Sequence, residues 1–108
     1  MKKSIGEYIH DLRIENGFTL TQLGALLGID SGALSKIENG KKSLDPKCLP
    51  KLAKVFSLDV EKLKNEFISE KIAYAIISNS CDEAVLKLAE EKVLYLRNKK
   101  THQSKLAF

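Results

Sequence analysis

The sequence predicts an all-α protein. Helix-start signals recur along the chain, each followed by apolar residues at helical spacing, and no stretch alternates polar and apolar residues as a strand would. The segment from Phe18 to Gly40, FTLTQLGALLGIDSGALSKIENG, adds a third observation. It sets a capped helix, a glycine stop, a second capped helix and a second glycine stop in close succession.

The expected elements follow in order. The first helix runs from about Ser4 to Asn16: Ser4 and Glu7 have capping-box spacing, and Ile5, Tyr8, Ile9, Leu12 and Arg13 share one face. Asn16-Gly17 ends it. The second helix covers about Leu20 to Leu27. Thr19 and Gln22 form its capping box, Phe18 and Leu23 stand as a hydrophobic staple, and Gly28 takes the left-handed position past its end. The third helix covers about Ser31 to Asn39, with Asp30 as N-cap, Ile29 and Leu34 as staple, and Gly40 beyond its end.

The loop KKSLDPKC comes next. Asp45-Pro46 has the form of a helix start, but a helix begun there would hold Pro50 inside, where proline removes an amide and clashes with the preceding turn. A fourth helix is therefore expected from near Leu49, with Pro50 at its first position, to near Phe56. Leu49, Leu52, Ala53 and Phe56 would face the core. Asp59 caps a fifth helix carrying Val60, Leu63 and Phe67. Two further helices are expected, over about Glu66–Asn79 and Asp82–Asn98, the second capped by Ser80 or Asp82. On the last, Leu86, Ala89, Val93 and Leu96 recur at spacings of three, four and three, an a/d seam suited to dimerisation. Lys99 to Phe108 is unpatterned and is expected as a flexible tail. The expected organisation is thus residues 1–67, 68–98 and 99–108. Leu12, Leu23, Leu26, Leu27, Ile29, Leu34, Ile37, Leu52 and Val55 read as core, and Tyr8, Tyr74 and Tyr95 as half-buried packing residues.

Composition narrows the function. The chain has 108 residues and a formal charge of +4, which suits a nucleic-acid partner without requiring one. No apolar run is long enough for a membrane span, and Glu7, His10, Asp11 and Arg13 interrupt what would be a signal-peptide core, so a cytoplasmic location is expected. Cys48 and Cys81 lack CxxC spacing, and with only two histidines no metal site is visible. His10 and His102 have no nucleophile near them in sequence, and no glycine-rich phosphate loop follows a strand. Neither an enzyme nor a cofactor is expected.

A capped helix, a glycine turn and a second capped helix make a helix-turn-helix unit, which sets its second helix in the DNA major groove. Through Leu23-Gly24, Gly28-Ile29, Leu34-Ser35-Lys36-Ile37-Glu38-Asn39-Gly40 and Leu52-Ala53-Lys54-Val55-Phe56, the chain resembles the lambda-repressor-like (Cro/Xre) helix-turn-helix proteins over roughly Ser4 to Phe67. The resemblance implies a five-helix DNA-binding domain, here followed by the two C-terminal helices. It also implies that Ser31, Gly32, Ser35 and Lys36 face the groove. Lys36 is the best base reader, since its ammonium can donate to guanine O6 and N7. Gly32 offers no side chain, which shifts weight toward DNA shape. Thr21, Asn39, Lys41, Lys42 and Ser43 are the candidate phosphate contacts, aided by the first amides of the second helix. Many relatives carry Gln at the position held here by Leu20. The resemblance further implies that Arg13 and Glu38 pair. The expected partners are a double-stranded DNA operator and a second copy of the chain. The expected role is a repressor or a restriction–modification controller. The alternative is an antitoxin that binds a toxin through its C-terminal helices.

Overall fold

The structure is a computed structural model that describes the backbone of residues 3–106 and the side chains of residues 3–99. Six α-helices and one short 3-10 turn account for its regular structure, with no strand among the described residues. They are α1 (Ile5–Glu15), α2 (Leu20–Leu27), α3 (Ser31–Glu38), the 3-10 turn (Pro46–Cys48), α4 (Leu49–Phe56), α5 (Val60–Ser78) and α6 (Ala84–Leu106). None of the described helices is long and apolar enough to cross a membrane.

The start signals act where the sequence places them. Both capping boxes form: Ser4 accepts from the Glu7 amide, and Thr19 from the Gln22 amide, with Glu7 and Gln22 reaching back. The Ile5 amide, at the start of α1, donates to Glu70 of α5 at 3.0 Å, a cap from a distant helix that local spacing does not reveal. Asp45 caps the 3-10 turn and α4 then follows directly, so Asp45-Pro46 and Pro50 each open a separate element.

Five helix ends close alike, by a backbone bond spanning five residues: 18 to 13, 29 to 24, 41 to 36, 58 to 53 and 81 to 76, at 2.8–3.0 Å. The residue before each donor has positive φ. Three are glycines, but the other two are Ser57 (φ 54°) and Ser80 (φ 55°). The closure satisfies carbonyls that a helix end would otherwise leave unpaired.

The chain divides into two compact units, Met1–Lys71 and Ile72–Phe108, with the boundary inside α5. In the first, Ile5 and Ile9 of α1, Leu23 and Leu27 of α2, Leu34 and Ile37 of α3, Leu49, Leu52 and Ala53 of α4, and Leu63 and Phe67 of α5 form one buried cluster with Leu44 and Cys48. Phe18 and Phe56 pack edge-to-face at its margin, with ring centroids 6.0 Å apart.

Four expectations need correction. Residues 60–78 form one helix rather than two that break near Glu66. No glycine or proline interrupts them, and Leu63 and Phe67, one turn apart, bury together across the expected break. The last helix runs from Ala84 to Leu106, so residues 99–106 continue it instead of forming a tail, again with no helix breaker in the sequence; residues 107–108 lie outside the described residues. Leu26 is half exposed, because Leu23 and Leu27 already turn the buried side of α2 to the core. Tyr74 and Tyr95 are likewise exposed rather than half-buried.

Candidate nucleic-acid interface

Two close contacts seat α3. Gly6 of α1 passes so near α3 that a Cβ on it would lie 2.3 Å from the Ile37 carbonyl oxygen. In α2, a Cβ on Gly24 would lie 2.4 Å from the carbonyl oxygen of Ile29, in the turn between α2 and α3. Side chains are thus excluded where α1 crosses α3 and where the α2–α3 turn folds back. Gly28 (φ 73°) makes that turn, and Asp30 accepts from the Ala33 amide at 2.8 Å to start α3.

The last turn of α3 is fixed by charge. Glu38 is the one buried charged residue among those described. Arg13 donates from Nε to its Oε2 at 2.7 Å and from Nη2 to its Oε1 at 3.0 Å, a two-point clamp, and a third nitrogen, Nη1, donates to the Phe18 carbonyl at 3.1 Å. His10 adds a partner that sequence reasoning missed: its Nδ1 lies 2.8 Å from Glu38 Oε1. A carboxylate acceptor at that distance assigns the proton to Nδ1, leaving the 3.3 Å approach of Arg13 Nη2 to the same nitrogen as a contact only. Burial pushes the Glu38 carboxyl up, but hydrogen bonds from Arg13 and His10 more than offset it, and the carboxyl sits below its ordinary value. Arg13 moves up in turn, held charged mainly by its hydrogen bond to Glu38. The only sequence signal for His10 is its position three residues before Arg13, on the same side of α1.

The expected base-reading residues keep clear of the buried positions of α3. Ser31, Gly32 and Lys36 are exposed and Ser35 is half-buried. Of the candidate phosphate contacts, Thr21 is exposed in the first turn of α2, and Lys41, Lys42 and Ser43 are exposed in the loop after α3. Asn39 is exposed too, but its side-chain amide donates to the Ser35 carbonyl at 2.8 Å, so part of its capacity closes α3. Leu20 packs against the core. In the second unit, Leu86, Ala89, Val93 and Leu96 lie on α6 at the expected spacing and are all exposed, Leu86, Val93 and Leu96 at 46%, 44% and 59%. No group of three His, Cys, Asp or Glu among the described residues could hold a metal ion. Cys48 is buried and Cys81 exposed.

The chain is similar in sequence to known proteins. The chain is 36% identical over 62 residues to the HTH-type transcriptional repressor RghR of Bacillus subtilis (strain 168), a match covering 56% of this chain and 46% of RghR. It is 39% identical over 59 residues to the uncharacterised HTH-type transcriptional regulator RghRB of the same organism, covering 54% of this chain and 42% of RghRB. The chain therefore spans less than half the length of these curated relatives. A crystal structure of SinR, the master regulator for biofilm formation, in complex with DNA superposes with a TM-score of 0.48 at 30% identity, covering 55% of this chain and 95% of SinR. A family model described as helix-turn-helix matches residues 9–63, just over half of the chain. The chain belongs to the Cro/Xre-like helix-turn-helix family.

Proposed function

We propose that this chain is a sequence-specific DNA-binding transcriptional regulator that sets α3 in the major groove of an operator and acts as a homodimer. The observation that carries the reading is the two-sided character of α3. Leu34, Ile37 and Glu38 are buried on one side, while Gly32 and Lys36 stand exposed on the other and Ser31 is exposed at the helix start. A short rigid helix with an exposed polar first turn is what major-groove docking needs. Lys36 donates to guanine edges, and Ser31 and Ser35 add weaker donors and acceptors. Thr21, Asn39, Lys41, Lys42 and Ser43 set the register on phosphates. The name of RghR supports a repressor. No step of this role is catalytic, and none needs a cofactor.

The exposed apolar face of α6 supports self-association, with Leu86, Ala89, Val93 and Leu96 at the seam. Two copies would then address half-sites about 34 Å apart. The same face favours the second reading, an antitoxin whose C-terminal helices bind a toxin.

Fluorescence anisotropy with DNA from the gene's own upstream region and a scrambled control tests the proposal. Preference for the upstream DNA, weakening as salt rises, is expected; equal weak binding to both would overturn it. Sedimentation of the full chain and of a Leu86→Glu/Val93→Glu variant tests the dimer. A wild-type monomer would remove the homodimer and bring the toxin partner forward.

A further inference from the structure

The positive charge of the first unit does not stop at the loop after α3. From Asn39 to Leu58 the chain carries lysines 41, 42, 47, 51 and 54 against a single acid, Asp45. Asp45 is already engaged, accepting from the Lys47 amide at 2.9 Å. Lys51 and Lys54 lie three residues apart on α4 and project from the side away from the buried Leu49, Leu52 and Ala53, and Lys47 stands in the 3-10 turn that leads into that helix. All three are exposed, and none is in an ion pair among the described residues. Elsewhere in the unit Lys3 pairs with Asp11 and Lys71 lies over the Phe67 ring, while Lys62 and Lys64 of α5 are exposed and, among the described residues, in no ion pair.

Position ties these lysines to the candidate interface. The Lys51 ammonium sits over the turn between α2 and α3, where a Cβ on Gly28 would lie 3.4 Å from it. At the other end of the band, the Lys41 amide is bonded to the Lys36 carbonyl at 2.8 Å. The band thus runs from the end of α3 through the loop and across α4 to the helix-turn-helix turn. The acids of α1, Glu7, Asp11 and Glu15, recur every fourth residue along one side of that helix, and Glu7 and Asp11 line one pocket with Asn39 at the edge of the band.

We infer that Lys47, Lys51 and Lys54 form a second set of DNA-phosphate contacts, which extends the grip on the backbone beyond the helix-turn-helix and its loop. The inference rests on the DNA-binding reading above. Lysine is well matched to phosphate, because a point charge on a flexible stem meets phosphates at varied positions and reads no base. The band adds affinity and salt dependence equally on every sequence, while the first turn of α3 supplies the preference.

The test needs no operator. Binding of the full chain to a mixed-sequence duplex of about 40 base pairs is measured over roughly 50–200 mM salt, where each neutralised phosphate contributes about 0.9 to the slope of log affinity against log salt. The Lys47→Gln/Lys51→Gln/Lys54→Gln variant is compared with a control of equal charge change, Lys62→Gln/Lys64→Gln/Lys92→Gln. The expected result is a slope lower by about two to three per protomer in the band variant and by less than about half a unit in the control. The ratio of affinities for upstream and scrambled DNA stays the same. A band variant with wild-type melting temperature and a slope equal to that of the wild type or of the control overturns the inference and leaves DNA binding standing. A wild-type protein with no salt-dependent DNA affinity removes the DNA-binding reading, and the band with it. If the triple variant melts early, the three single variants carry the test, each expected to lower the slope by about one.

Discussion

Replacing Glu38 by alanine strands Arg13. The Arg13 and Glu38 side chains are only 11% and 4% exposed, so neither group is compensated by water when its partner leaves. Glu38→Ala deletes three contacts of 2.7, 2.8 and 3.0 Å and leaves the guanidinium with the Phe18 carbonyl alone. Hydrogen bonds to charged groups are worth about 1.5–3 kcal/mol each, from which the relief of no longer burying the carboxylate must be subtracted. The net loss expected is about 3–5 kcal/mol, the usual result of breaking a buried pair from one side. Urea denaturation of the full chain, followed by circular dichroism, should show this for Glu38→Ala and a similar loss for Arg13→Met. The double variant Arg13→Met/Glu38→Leu should recover about 2 kcal/mol relative to the sum, since it leaves no stranded charge. Acid titration gives an independent reading. The Glu38 carboxyl is depressed in the folded state, so its contribution is fully present above the ordinary carboxylate range. It is lost as pH falls through the lower folded value, and Glu38→Gln should lack that portion of the acid loss. A Glu38→Ala protein within about 1 kcal/mol of wild type, or strict additivity in the cycle, would refute the account.

Three other outcomes are expected. Gly6→Ala should lower stability by about 2–3 kcal/mol, because the new methyl would stand 2.3 Å from the Ile37 carbonyl oxygen and push α1 off α3; an unchanged melting temperature would show that the crossing is looser than described. Ser57→Gly should raise stability by about 0.5–1 kcal/mol, since the serine holds φ at 54° where an L side chain is disfavoured, and thermal melting reads the change directly. Lys36→Met should leave the melting temperature unaltered, cost about 1–3 kcal/mol on the preferred DNA and relax preference at one base; an equal loss on every sequence would make Lys36 a phosphate contact instead.

The parts legible in the sequence are those whose determinants lie within a few residues of each other. Ser4 with Glu7, Thr19 with Gln22, Asp30, and the glycines at 17, 28 and 40 each specify a helix boundary by local chemistry, and α1 to α3 begin and end there. The fusion of residues 60–78 was not legible, because the apolar residues of α5 do not keep to one stripe. Leu63 and Phe67 face the core, while Ile68, Ile72 and Ile77 are exposed, so a single helix reads as two patterns. Ser57 and Ser80 end their helices as glycines would, with no residue type to announce it. At the candidate interface, the outward placement of the first turn of α3 followed from the resemblance to the helix-turn-helix family. The third partner of Glu38 did not, since His10 meets it across 28 positions of sequence. Gly6 was equally silent, because its value lies in a carbonyl thirty-one residues away.

The two sides of α3 also bear on how such a chain could change its target. Eight residues hold both the anchor, at Leu34, Ile37 and Glu38, and the face proposed to meet DNA, at Ser31, Gly32 and Lys36, and the two sets share no position. Substitutions at Ser31 and Lys36 leave the inward packing untouched, whereas a Cβ at Gly32 would lie 3.3 Å from the Asp30 oxygen that caps the helix, so new operators are reachable most safely by single steps at the first two. The clamp behind the helix is in that sense a source of evolutionary freedom: the firmer the hold on Glu38, the wider the alphabet tolerated in front of it.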